Sequence, residues 1–395
     1  MASTTLRSER GDGESLLNQS GDYSTRLHNF NAGPSALPTC VRESIKRAID
    51  GLEGGPGILE MSHRSSQFDQ VINEASAAIR RVYELPETHE ILFLQGGASL
   101  QFAMIPFNLG THGGYLTTGE WSERALEEAK GLVHDTKAQP LELTSAAPHF
   151  DHTPRHIPQM GREVLSLDYL HLTSNNTIYG TQYHELPLIE GLSREERTPG
   201  FVVDASSDIF SRPIDWSRVD LLYAGAQKNA GPSGVSLVIA HKEITRRPPK
   251  HPFCPKILAY QTHAEKGSLY HTPNTLGVYA VGEVAKWVES MGGVKLMSER
   301  AQKRSNRIYD LIDRYDLYRG HAHHGSRSMM NITFHVTDPK AESRLLELAS
   351  QRSMWGLRGH RSVGGLRASL YNAVPDVSID RLCELLEEVG EESTR

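Results

Sequence analysis

The chain has 395 residues, 38% of them hydrophobic, enough for one large core or two unequal ones. Its formal net charge of -6 offers no general attraction to nucleic acid or to an anionic membrane, so any anion recognition must come from local arginines. Three widely spaced cysteines, Cys40, Cys254 and Cys383, argue against a disulfide framework or a zinc knuckle, and a reducing, cytoplasmic setting is expected.

Residues 1–27, "MASTTLRSERGDGESLLNQSGDYSTRL", are polar, mixed in charge and short of apolar periodicity, so they cannot offset their ordering entropy. A flexible tail is expected there. Its serines and arginines suit an organelle import peptide, but Glu9, Asp12 and Glu14 do not, because acids are scarce in that class. The start lacks the apolar core of a secretory signal, and no apolar run approaches the roughly 20 residues of a membrane-spanning helix. Beyond the tail, strand candidates are "ILFLQ" from 91, "GGYLTTG" from 113, "LDYLHLTS" from 167, "FVVDAS" from 201, "DLLYAG" from 220 and "VSLVIAH" from 235. Amphipathic helices such as "EWSERALEEAKGL" fall between them, which predicts an α/β fold. From about residue 290 the pattern changes to a long charged helix, "VKLMSERAQKRSNRIYDLIDRY", then a strand, "SMMNITFHV", and a final helix, "IDRLCELLEEVG". A second, smaller domain is expected there.

In an open α/β sheet, ligands gather at the carboxyl ends of the strands. "FVVD" delivers Asp204 to that edge and "LLYAGAQK" delivers Lys228, inside the glycine-rich stretch "YAGAQKNAGPSG". Alone, Asp204 reads as a cap or turn residue and Lys228 as a solvated loop residue. As a pair they suit a pyridoxal 5'-phosphate enzyme, in which a lysine forms a Schiff base and a carboxylate keeps the pyridine nitrogen protonated.

Such a cofactor also needs an anion cradle. "LQGGASLQFAMIPFNL" offers a strand, two glycines and a helix start, where backbone N–H groups near Ala98 and Ser99 would face a phosphate. The bare pattern is also that of an ordinary turn, and it has neither the lysine of a nucleotide loop nor a dinucleotide fingerprint. Trp121, at the next helix start, could plate the pyridine ring or simply pack in the core. Thr177 in "LTSNNTIYG" could donate to a phenolic oxygen or serve only the turn.

The motifs "FNAGPSALP", "GILEMSHRS", "EILFLQGGAS", "NNTIYGT", "SRPIDWSRVDLLYAGAQKNAGPSG" and "GHRSVGGLRASLYNAVP" resemble, in unbroken order from about Phe30 to Val389, those of the phosphoserine aminotransferases. These are class V members of the fold type I pyridoxal phosphate enzymes. The resemblance implies a large, mostly parallel-sheet cofactor domain over 47–290 and a small α/β domain over 28–46 plus 291–395. It also implies a homodimer with sites at the interface. It makes Lys228 the Schiff-base lysine, Gln227 a cofactor ligand and Asp204 the partner of the pyridine nitrogen. Ala98 and Ser99 fall at the phosphate loop, Trp121 at the stacking position and Thr177 at the phenolic oxygen. His271 and Thr272 fall where a partner subunit reaches the phosphate, although the family usually has Asn-Thr-Pro-Pro where this chain has His271-Thr272-Pro273-Asn274.

Phosphoserine and glutamate each carry an α-carboxylate and a distal anion, so one site serving both needs two separated cationic anchors. Arg367 matches the α-carboxylate position, while His63, Arg64, His360 and Arg361 match those around the distal anion. The implied reaction is a ping-pong transfer from glutamate, which leaves as 2-oxoglutarate, to 3-phosphohydroxypyruvate, which leaves as phosphoserine, with Lys228 moving the proton. Other class V aminotransferases, acting on alanine, serine or glyoxylate, lack a distal phosphate and would have less use for two His-Arg pairs. A non-catalytic protein that had kept the fold would be expected to have lost Lys228. The histidines of "GHAHHG", 320–325, lack helical spacing and nearby cysteines, so they read as solvated loop and no metal is expected.

Overall fold

Short runs of branched and aromatic residues, buried on both faces, become strands wherever helices can cover both sides of a sheet. A computed structural model describes residues 27–52, 54–133, 138–158, 161–191 and 199–394; apart from Leu27, the expected tail lies outside them. The described chain opens with β1 (His28–Asn29), α1 (Thr39–Asp50) and α2 (Ser66–Tyr83). Next come β2 (His89–Leu94), α3 (Gly97–Leu109), β3 (Gly114–Thr117), α4 (Glu120–Gly131) and β4 (Leu141–Ser145). β5 (Leu170–Thr173), β6 (Phe201–Asp204), β7 (Val219–Gly225) and β8 (Ser236–His241) follow. The remainder carries α5 (Thr275–Ser290), α6 (Gly293–Arg314), β9 (Tyr318–Gly320), β10 (Asn331–Val336), α7 (Pro339–Gln351), β11 (Met354–Trp355), β12 (Leu366–Ser369) and α8 (Asp376–Thr394).

Strands β2 to β8 form one seven-stranded sheet in the order β2-β8-β7-β6-β5-β3-β4. Only β8 runs against its neighbours, so the other six strands end at one edge. The mostly parallel α/β architecture expected from the alternation is present. β4 was not anticipated: it lies at the sheet edge, and only Leu143 of its five residues is buried, so it has no continuous apolar run to betray it. Apolar side chains such as Phe68, Ile79, Leu172, Val203 and Leu222 fill one core of the large sheet, and Phe102, Tyr115, Tyr223 and Tyr260 belong to another.

β9, β10 and β12 form a separate antiparallel sheet with its own core, which includes Phe30, Ile312, Phe334, Leu366 and Leu382. β1 reaches this region by pairing in parallel with β11. Val41 and Ala48 of α1 instead belong to a core of the large sheet, so the first described segment divides its contacts between the two.

A buried polar network ties the two sheets together. Asn175 Nδ2 donates to Ser207 Oγ (2.8 Å) and to Asn331 Oδ1 (2.7 Å), and Ser328 Oγ donates to Asn175 Oδ1 (2.5 Å). Asn331 Nδ2 continues it to Ser369 Oγ (2.9 Å), and all five residues are buried. Most buried polar groups in proteins are paired in this way. Among the described residues no helix is long and apolar enough to cross a membrane.

Candidate active site

The shared edge of the large sheet collects the polar groups that its strands end on. Asp204 closes β6, and Lys228 follows β7 by three residues. They line one cavity of about 300 Å³ together with Gly97, Ala98, Ser99, Trp121, Thr177, Gln227, His360 and Arg367. Nine of the fourteen residues expected at the site therefore converge.

Lys228 is held from several sides. Its Nζ donates to Thr177 Oγ1 (2.7 Å) and lies 5.3 Å from the centre of the Trp121 ring. Its backbone carbonyl accepts from Ser35 Oγ, and Gln227 O accepts from Ser35 N at 3.0 Å. This brings the "NAGPS" segment against the lysine loop, where a Cβ on Gly33 would sit 3.1 Å from Lys228 Cγ. A glycine is needed there by close approach as well as by its φ of +142°. Burial lowers the lysine to about 8; the Asp204 charge opposes that shift and Arg367 adds to it.

Asp204 is buried and held by its own turn: Ser206 donates to Oδ1 from both N (2.9 Å) and Oγ (2.6 Å). Burial pushes this carboxyl up, against the pull of Lys228 and the Ser206 hydrogen bonds. Ser206 in turn accepts from Gly225 N (3.0 Å), which locks β6 to β7 beside the lysine. The motif reading did not include Ser206; the Asp-x-Ser spacing of an Asx turn was the available signal.

The cradle also forms. Gly96 and Gly97 both have positive φ, +90° and +69°, which lets α3 start abruptly at the end of β2. That helix has no side-chain cap and no acid in its first turn, so its open N–H groups around Gly97 to Ser99 are available to an anion. Trp121 Nε1 and Arg367 Nε are buried with no partner, while Arg367 Nη1 donates to Thr177 O (3.2 Å). These are the features of a site completed by a ligand.

Five expected residues lie elsewhere in this chain. Arg64 and Arg361 are exposed, His63 is half-buried, and none of the three lines the cavity. His271 and Thr272 are also outside the lining, although Thr272 O accepts from Gln95 Nε2 (3.1 Å), one residue before Gly96.

The model of the aminotransferase class-V family matches residues 27–382. A phosphoserine aminotransferase of Lysinibacillus sphaericus is 48% identical over 357 residues, covering 89% of this chain and 94% of that protein. The solved phosphoserine aminotransferase of Bacillus circulans subsp. alkalophilus superposes with a TM-score of 0.84 at 40% identity, over 94% of this chain and all of that one. A pyridoxal-phosphate-bound phosphoserine aminotransferase from Trichomonas vaginalis gives 0.82 at 32% identity, over 92% of this chain and all of that one. With a lysine, a carboxylate and an uncapped helix start meeting at one sheet edge, and with a family match that spans nearly the whole chain, this protein belongs to the class-V aminotransferases.

Proposed function

We infer that the protein is a pyridoxal-phosphate-dependent transaminase that moves an amino group between L-glutamate and 3-phosphohydroxypyruvate, giving 2-oxoglutarate and O-phospho-L-serine, a step of serine biosynthesis. The observation that carries this reading is the convergence of Lys228, Asp204, Thr177 and the α3 start on one cavity, in a chain this similar to phosphoserine aminotransferases. When bound, the cofactor supplies an electron sink through its protonated ring nitrogen. The residues fit it: buried Asp204 would hold the nitrogen's proton, Trp121 would stack on the ring, Thr177 would donate to the phenolic oxygen with Gln227 beside it, and Gly97 to Ser99 would hold the phosphate. Lys228 would tether the cofactor and move the proton at the substrate α-carbon; its lowered pKa leaves more free amine near neutral pH than an ordinary lysine has. Arg367, already oriented by Thr177 O, takes the α-carboxylate with its remaining N–H groups.

The distal anion is assigned to His360 and Arg361 together with His63 and Arg64. Replacing Arg361 or Arg64 by alanine should lower kcat/KM for phosphoserine far more than for alanine as amino donor. Loss of a charge-assisted hydrogen bond costs about 1.5–3 kcal/mol, roughly ten- to a hundredfold. Steady-state kinetics with both donors checks this, and equal losses would place the distal anion elsewhere.

The working form is read as a homodimer in which His63, Arg64, His271 and Thr272 reach the neighbouring subunit's site. Two things support it: none of the four lines this chain's own cavity, and exposed apolar Leu59 and Tyr270 stand beside them. If so, Lys228→Ala subunits refolded with His271→Ala/Thr272→Ala subunits should recover about a quarter of wild-type activity, from one intact site in each mixed dimer. Efficient refolding with no recovery would confine the site to one chain. A small domain over 28–46 plus 291–395 and a large one over 47–290 are retained as a proposal, supported by the separate core of the small sheet. A cytoplasmic location accords with three free cysteines.

A further inference from the structure

Loop 146–153 after β4 and loop 321–326 between β9 and β10 meet on the surface, away from the lining of the lysine cavity. There, two histidines approach the two oxygens of one carboxylate. His152 Nδ1 is 2.9 Å from Asp151 Oδ1, and His323 Nε2 is 3.3 Å from Asp151 Oδ2. The two imidazoles stack at 5.9 Å with 17° between their planes. One ligand atom from each of the three residues lies within 4.8 Å of the other two.

We propose that Asp151, His152 and His323 bind a divalent transition metal of zinc's class and thereby clip the large sheet's loop to the small sheet's loop. Tetrahedral zinc, with bonds of about 2.0–2.1 Å, has ligand–ligand edges of about 3.3–3.4 Å, so small side-chain adjustments convert the present triangle into three corners of that figure. The fourth corner, towards solvent, is left for water. Two imidazole nitrogens with one carboxylate oxygen suit zinc, nickel or copper and are unsuited to calcium or magnesium, which take oxygen donors.

The backbone beneath the ligands is already fixed. His323 N donates to Asp151 O (2.8 Å), His321 Nε2 contacts His149 O (2.9 Å) and Thr153 N donates to Ser326 Oγ (2.9 Å). Metal binding would therefore pay little for ordering the loops. His323 is exposed and His152 partly so, which leaves the group open to an ion from solvent. A bland account, an ordinary surface His–Asp contact, explains one histidine beside a carboxylate. It gives no reason for a second, from a distant part of the chain, to take the other oxygen with its ring parallel to the first.

The test titrates the holoenzyme with zinc chloride, and in parallel with cobalt chloride, in phosphate-free buffer, reading bound metal by equilibrium dialysis and melting temperature by calorimetry. Wild type should take up one metal per subunit at this site and melt higher with it. His323→Ala and His152→Ala should each weaken that binding more than about tenfold and lose the shift, with the cofactor absorbance intact as the check on folding. Should an alanine variant lose its cofactor, His323→Gln and Asp151→Asn replace it and must show the same loss. Equal metal affinity in wild type and variants, or no uptake by wild type, overturns the proposal.

Discussion

Replacing Lys228 by alanine should lower the rate of either half-reaction by about 10⁴-fold or more, the upper range for a positioned proton-transfer group, since among the described residues lining the cavity Lys228 is the one lysine. Nζ sits 2.7 Å from Thr177 Oγ1 and 5.3 Å from the Trp121 ring centre, inside the cavity that also holds Asp204 and Arg367. Single-turnover mixing with glutamate measures the loss. Borohydride reduction of the wild-type holoenzyme followed by peptide mass spectrometry should place the pyridoxyl group on Lys228, and an adduct on another lysine would overturn the assignment. The pH dependence carries a sign. Burial lowers this lysine to about 8, so its free amine predominates above that pH and the ammonium below it. Capture of pyridoxal phosphate by the cofactor-free protein should therefore rise with pH and reach half its limit near pH 8, more than two units earlier than for an ordinary lysine. A rate still climbing steeply at pH 10 would show that the amine is not desolvated.

Asp204→Asn should cost about 10²- to 10³-fold in the same half-reaction, the magnitude seen when one preorganised electrostatic partner is removed. The substitution is nearly isosteric, and an amide oxygen can still accept from Ser206 N and Oγ, so the turn that closes β6 should persist. What would disappear is the charge proposed to face the ring nitrogen. Cofactor should remain bound, because the proposed phosphate cradle is the uncapped start of α3 and not Asp204. A variant that retains a third or more of wild-type kcat would mean that this carboxylate does not hold the nitrogen's proton.

The sheet was legible where strands are buried on both faces. "FVVD" and "DLLYAG" are apolar throughout because helices cover both sides, and their ends put Asp204 and Lys228 at one edge, as the sequence predicts. Edge strand β4 has one face in water and left no comparable run. Local motifs found the glycine turn and uncapped helix start proposed as the phosphate cradle, since these are written in adjacent residues. His63, Arg64 and Arg361 lie outside this cavity, which local motifs could not reveal because they carry no information on where a side chain reaches in space, whereas the resemblance itself sets His271 and Thr272 toward a partner's site. Nor could local motifs find Asp151, His152 and His323 together. The histidine-rich loop was read as solvated because its own spacing is unhelpful, and the carboxylate it meets lies far back in the chain.

Substrate exchange should not proceed by rocking the small sheet away from the large one. Parting them would exchange the hydrogen bonds of Asn175 with Asn331 and Ser328 for bonds to water, a net cost of about 0.5–1.5 kcal/mol each. Within the turn 359–365, Val363 N and Gly364 N both donate to His360 O, while the Ser362 side chain bonds outward to Tyr179. Gly364 and Gly365, at φ +76° and +58°, give it a swivel at one end. His360 sits on that turn and lines the cavity, so a shift of the turn would carry part of the cavity wall with it.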